Sequence, residues 1–437
     1  MERTLVKDTL VVTQDDRRRV VRGDVLVEGD TIAGVGPDLG PADRVIDGRR
    51  RVVMPGMVNA HGHIAMHAMR GVADDMPLEA FLERTFAVDA RRTSQDIEAG
   101  ARLGALELLK TGSTACVDLY YDQDAVARGL ASIGVRGWLG WAVLDEKFTT
   151  QKGAPLANCE AWAGRARDIP RVTPMVAPQG VYVCGEETYH GARELAERLG
   201  VPLHTHLSET RPEVYNHKAA TGARPVEWLA KIGFLCPRLS AAHLVWVTMA
   251  ELDLLSKAGV CAVHCPTSNM KLASGGVAPV PEMLERGMHV GLGTDGASSN
   301  NSVDMFGEMK QAALLHKSAR WDARLVTAQQ ALDMATRGGA AAVGALDRLG
   351  SVEVGKQADL VLIDRGKPSV APLREDNLVS ALVYGGGTDI VDTVLVAGEV
   401  VLEGGRPTRA DAGEVVRGAE EAAAALMERA KEAGGGA

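Results

Sequence analysis

The chain has 437 residues, of which 46% are hydrophobic and 24% charged, with a formal net charge of -9; that length holds a large domain with a smaller one, or a barrel with additions. The acidic balance excludes nucleic acid or an anionic membrane as the main partner, because both need a basic face, and no apolar run approaches the ~20 residues of a membrane span. The start, MERTLVKDTLVV, lacks a signal-peptide pattern, and six scattered cysteines with no CxxC pair fit free thiols in a reducing cytoplasm.

Residues 1–55 run in short apolar stretches punctuated by Gly, Asp and Pro, as in DVLVEGD and RVVMPG. This reads as a small antiparallel sheet. The same texture returns in 350–408, so the two ends are expected to form one composite β-sandwich. Residues 56–349 alternate short apolar strands with amphipathic helical runs. Eight strand candidates occur: MVNAHGH, TACVDLY, GWLGWAVLD, TPMVAPQG, PLHTHLSE, LSAAHLV, CAVHCP and HVGLGTDG. The helical runs include Gln95–Lys110, Glu187–Leu199, Ala250–Lys257 and Val303–His316. This is the pattern of an α/β fold, a (β/α)8 TIM barrel, with a doubly wound sheet as the alternative. Residues 409–437 read as an amphipathic C-terminal helix ending in the glycine tail Gly434, Gly435 and Gly436.

Nearly every candidate strand ends in a polar residue: His61 and His63, Asp118, Asp145, Gln179, His206 and Glu209, His243, His264 and Asp295. Barrel active sites are assembled from strand C-termini, which favours the barrel. His61-Gly62-His63 places two imidazoles on one face of a strand, about 7 Å apart. His206 and Glu209, His243 and Asp295 offer further donors, and nitrogen ligands plus one carboxylate drawn from separate strand ends describe an open catalytic zinc or iron site. His204 shares a face with His206 one layer deeper and reads as a core residue or a support for the ligands. His67 lies past the strand end and reads as structural or pocket-lining. Cys261 and Cys265 have the wrong spacing for a zinc pair. GLGTDG fits a dinucleotide fingerprint, but no βαβ unit follows it. The H-x-E and P-C-x-x-C pair of the cytidine-deaminase design is absent.

PGMVNAHGH, HTHLSET, AAHLV and GTDGASSNN, in this order, together with MATRGGAAAVG and GSVEVGKQADLVLID, resemble the amidohydrolase superfamily. The resemblance is to its branch of 5-methylthioadenosine/S-adenosylhomocysteine deaminases and triazine chlorohydrolases. It implies a metal-dependent barrel beside a composite β-sandwich. It also implies that His61, His63, His206 and Asp295 hold one divalent ion, zinc in first place and iron as the alternative. Binuclear members use a lysine at the end of the fourth strand, and MVAPQG has none. By the same resemblance Glu209, His243 and Asp295 are the catalytic residues. The implied reaction is hydrolytic deamination: metal hydroxide attacks a ring carbon bearing an amino group, Glu209 protonates the ring nitrogen, and ammonia leaves.

The substrate-binding positions follow the relatives only in part. Ser299 matches a purine-contacting serine. Gln179 and Trp141 stand where nucleoside-deaminating relatives carry His and Arg, and Asp89 is the nearest carboxylate to a ribose-gripping Glu. The expected substrate is therefore a small heteroaromatic molecule, an adenosine-type nucleoside or aminopurine, less anionic or less ribose-dependent than S-adenosylhomocysteine. Removal of chloride or alkylamine from a triazine-like ring is the alternative chemistry, and an inactive assembly protein is the alternative class. The resemblance is compatible with a homodimer or larger homo-oligomer, which no segment specifies.

Overall fold

Valine-rich runs broken by Gly and Asp build the first sheet of the computed structural model, which describes residues 2–76, 78–149 and 151–434. Its N-terminal strands are β1 (Arg3–Val12), β2 (Val20–Glu28), β3 (Thr31–Gly36), β4 (Arg44–Asp47) and β5 (Arg51–Pro55). Strand β1 pairs antiparallel with β2, and β2 with β3. The other edge of β1 takes β4 along Thr4–Lys7 and β5 along Leu10–Val11, both parallel. The expected antiparallel sheet is thus a mixed one. The chain leaving the β2–β3 hairpin crosses over β1 before it pairs, and a crossover returns a strand parallel.

The barrel strands are β6 (Met57–Asn59), β7 (Gly62–His63), β8 (Ser113–Tyr120), β9 (Arg136–Val143), β10 (Val172–Pro178), β11 (Leu203–Leu207), β12 (Leu239–His243), β13 (Cys261–His264), β14 (Val290–Leu292) and β15 (Asp295–Gly296). An eight-stranded parallel sheet runs from β6 through β8 to β14 in sequence order. It closes through Ala60 N–H to the Leu292 carbonyl (2.8 Å), Asp295 N–H to the His61 carbonyl (3.0 Å), and the β7–β15 pair. MVNAHGH and HVGLGTDG, each expected as one strand, are both interrupted where they meet. Gly293 explains the close approach, since a Cβ there would fall 2.7 Å from His61 Cβ. All eight strand candidates are present as strands, and helices such as Ser94–Lys110, Glu186–Leu199, Met249–Lys257 and Met305–Arg320 alternate with them.

The last strands, β16 (Leu360–Asp364), β17 (Val391–Val396), β18 (Glu399–Glu403) and β19 (Arg406–Pro407), return to the first sheet. Strand β16 pairs antiparallel with β5, which joins the two termini into one nine-stranded sheet. Val6, Val25, Ile32, Val53, Leu362 and Leu395 meet in a single apolar cluster, so the sheet curls over its own core. The fold is a TIM barrel beside a β-sandwich built from both ends. The helix Ala412–Glu432 follows, with Leu426 and Ala430 packed on Met69 and Val88. Gly435 and Gly436 lie outside the described residues. Among the described residues the six cysteines are free and buried, and no helix is long and apolar enough to cross a membrane. Cys261 and Cys265 sit in an apolar cluster with Ala60 and Val263.

Candidate metal centre and active site

Strand alternation and barrel closure carry four side chains to one point above the barrel axis. One ligand atom from each of His61, His63, His206 and Asp295 lies within 4.8 Å of the others. Asp295 Oδ1 is 3.3 Å from His61 Nε2 and 3.2 Å from His63 Nε2. His206 Nε2 is 3.3 Å from His63 Nε2. Three imidazole nitrogens and a carboxylate converging in this way are a donor set that fits a divalent cation.

The far side of each ring explains this orientation. His63 Nδ1 donates to the Leu119 carbonyl at 2.5 Å, and His206 Nδ1 to the Gln179 carbonyl at 2.6 Å. His61 is set by a longer relay. Ser240 Oγ donates to the Leu203 carbonyl (3.3 Å) and therefore accepts from His204 Nδ1 (2.7 Å). His204 Nε2 then accepts from His61 Nδ1 at 2.8 Å. In His61, His63 and His206 alike Nδ1 is committed to a protein acceptor, which leaves Nε2 to face the centre. His61 Nε2 is buried with no hydrogen-bond partner, as a metal-directed nitrogen should be. Burial lowers the His61 pKa to about 4, so the ring is neutral and able to ligate.

Asp295 is held from behind. Its Oδ2 accepts from Ser268 Oγ at 2.6 Å and from Ser299 Oγ at 3.0 Å, while Oδ1 faces the histidines. Its φ of +63° is a strained backbone at the site. Glu209 follows β11, and the helix Arg211–Thr221 begins at once with the capping box of Thr210 and Glu213. Glu213 carboxylate oxygens accept the Ser208 and Glu209 amides, each at 2.8 Å, which fixes the turn bearing Glu209. Burial raises the Glu209 pKa, opposed by His243 and aided by Asp295. His243 Nε2 lies 3.7 Å from Glu209 Oε2, and its ring stacks on His206 with centroids 5.4 Å apart.

The remaining expected residues divide. Asp89 is buried near His63, but its two oxygens already take the Tyr120 hydroxyl and Arg92 (2.6 Å). Gln179 borders the centre, and its carbonyl rather than its side chain holds His206. Ser299 braces Asp295. Trp141 is not brought to the centre. It alternates with Gly140 and Ala142, on the face of β9 shared with Leu139 and Val143, packs against the barrel–helix layer, and donates its indole N–H to Gln151 at 2.8 Å. Asp118, Asp145 and His264 also turn away. Asp118 accepts the Ile64 amide, Asp145 the Gly185 amide and Thr188 hydroxyl, and His264 meets His316. His67 is tied to the Ile64 carbonyl (2.7 Å) and Glu107 (3.3 Å), outside the ligand group. Sequence reasoning missed Ser268, Asn269, Tyr120 and Arg92, since no spacing rule marks residues that act on other side chains.

Behind the site Glu308 is 2% exposed and accepts from Asn300 Nδ2 at 2.6 Å. Burial pushes its pKa up from 4.5 to about 7 against those hydrogen bonds. A carboxyl raised on folding stabilises fully below about pH 4.5, and that contribution is lost as pH rises through 7. Glu308→Gln, always neutral, is expected to gain up to about 3 kcal/mol on the wild type between pH 4.5 and 8. Urea denaturation at the two pH values checks this; a pH-independent difference contradicts it.

The amidohydrolase family model matches residues 52–401. The chain is 43% identical over 423 residues to a 5-methylthioadenosine/S-adenosylhomocysteine deaminase of Desulfovibrio desulfuricans, covering 93% of this chain and 94% of that protein. Among solved structures, an adenosine deaminase from Xanthomonas campestris with bound zinc superposes with a TM-score of 0.93 at 33% identity, covering 97% of this chain and 98% of that one. An atrazine chlorohydrolase from Arthrobacter aurescens complexed with zinc gives a TM-score of 0.89 at 26% identity, covering 96% of this chain and 100% of that one.

Proposed function

The chain belongs to the amidohydrolase family, and from that premise we propose that it is a metal-dependent deaminase of an adenosine-type nucleoside or related aminopurine. The observation that carries the reading is the convergence of His61, His63, His206 and Asp295 beside the Glu209–His243 pair. A single ion is proposed, because β10 and the Gln179 that follows it carry no lysine to bridge a second. Zinc is the first choice and iron the second, since both accept three imidazoles and a carboxylate.

When bound, a divalent cation supplies Lewis acidity and lowers the pKa of a coordinated water from 15.7 to about 7. The chain's own groups do the rest. Asp295 keeps Oδ1 turned to the centre and takes a proton from the water. Glu209, whose carboxyl burial shifts toward its acid form, delivers a proton to the ring nitrogen beside the attacked carbon. His243 Nε2, next to Glu209, donates a hydrogen bond to the entering oxygen. Asp295 passes its proton to the departing amine, which leaves as ammonia, and the hydroxyl proton returns to Glu209 as water oxygen becomes the ring carbonyl. Asp89, with Tyr120 and Arg92, supplies a polar wall, and Gln179 a neutral one. That balance suits a substrate whose far end is uncharged.

Ammonia release from adenosine, 5′-alkylthioadenosines, S-adenosylhomocysteine, guanine-type bases, pterins and aminotriazines by the metal-loaded protein tests this. Release from adenosine derivatives above the rest is expected. Turnover confined to triazines overturns the nucleoside reading, and S-adenosylhomocysteine at kcat/KM above ~10^6 M⁻¹s⁻¹ overturns the preference for a neutral end.

A further inference from the structure

After β13 the short helix Pro266–Lys271 presents two adjacent polar side chains to the two groups flanking the substrate space. Ser268 reaches Asp295, as described above. Asn269, 6% exposed, places Nδ2 3.1 Å from His243 Nδ1 and 3.5 Å from Ser274 Oγ. Among the described residues no protein group comes within hydrogen-bonding distance of His243 Nε2, and that atom is buried.

We propose that Asn269 is a positioning residue that holds His243 in the tautomer carrying its proton on Nε2. An amide nitrogen has two hydrogens to give and accepts none. One hydrogen points at His243 Nδ1 and the other at Ser274. His243 Nδ1 must then be the acceptor, and a neutral imidazole with Nδ1 as acceptor keeps its proton on Nε2. The opposite tautomer sets two N–H groups against each other at this 3.1 Å approach. The turn that carries the ring is a strained one: His243 has φ +77° and Leu244 +50°, left-handed conformations that L-residues adopt only at a cost. His243 is thereby presented to the substrate space as a hydrogen-bond donor and not as a base.

The catalytic consequence rests on the proposed deaminase reading; the tautomer itself does not. Ring nitrogens of ¹⁵N-histidine-labelled, metal-loaded protein report it directly by long-range ¹H–¹⁵N correlation, with His243→Gln supplying the assignment. A protonated-type Nε2 and an acceptor-type Nδ1 are expected. Asn269→Asp keeps shape and volume but turns the donor into a carboxylate acceptor. The proton is expected to move to Nδ1, with kcat falling about 10^2-fold, as for loss of one preorganised donor, while KM and metal content hold. Asn269→Ala, which removes the partner without supplying an acceptor, is expected to leave a mixture of tautomers. A wild-type ring protonated on Nδ1 overturns the proposal. So does an Asn269→Asp protein whose tautomer is unchanged while activity is lost, since packing alone then explains the loss. If Asn269→Asp does not fold, the wild-type spectrum still decides. Absence of turnover on every aromatic amine, with Nε2 protonated, removes the deaminase reading and leaves the tautomer standing.

Discussion

His206→Ala is expected to leave a folded barrel with well under one metal per chain and turnover reduced by at least about 10^4-fold. The ring is aimed by its 2.6 Å hydrogen bond to the Gln179 carbonyl, and its Nε2 is one of the four donor atoms that converge at the centre. Two histidines and a carboxylate bind a cation far more weakly than three and one. Without the ion the water returns toward its free pKa of 15.7, and the nucleophile at neutral pH disappears. Elemental analysis of the dialysed protein, circular dichroism and ammonia release give the three readouts. Ligands from three separate stretches of the barrel, each ring aimed by hydrogen bonds to protein groups, also mean that the wild-type apoprotein should regain activity when zinc or iron is returned. A His206→Ala protein that keeps one metal and more than about a tenth of wild-type turnover contradicts the ligand set.

Glu209→Gln is expected to keep its metal and its melting temperature while kcat drops by about 10^2 to 10^4. Glutamine fills the same volume but has no acidic proton for a ring nitrogen. Burial keeps the Glu209 carboxyl in its acid form more readily than in water, and the turn that carries it is pinned through Glu213. The loss should fall on kcat more than on KM, since the proton is transferred on the way to the transition state. Near-normal kcat in a metal-replete variant removes Glu209 from the mechanism.

The ligands were legible in the chain because a metal restricts donor types and a strand restricts spacing. His61-Gly62-His63 obeys the two-residue period, and His206 and Asp295 end strands of one barrel. A polar strand end does not by itself mark a ligand, as Asp118, Asp145 and His264 show: it serves equally to receive a backbone amide or meet a helix, and the side-chain period of two sends alternate residues outward. Trp141 lies on the same face of β9 as Leu139 and Val143, and one position decides whether a strand residue faces the axis or the helices. Ser268, Asn269 and the Ser240–His204 relay were illegible, because their meaning is a distance to another side chain.

From the sequence alone, then, came the α/β alternation, the pairing of the two ends, and the four donor residues that the fold brings together. Those depend on local periodicity and on chemistry that few residue types can perform. Tertiary structure alone decided which strand-end residues face the centre, that β1 takes parallel neighbours, and which hydrogen bonds set the rings of His61 and His204. These are properties of closure and packing: each depends on where a residue far along the chain is brought to lie, and the local sequence carries no record of that distance.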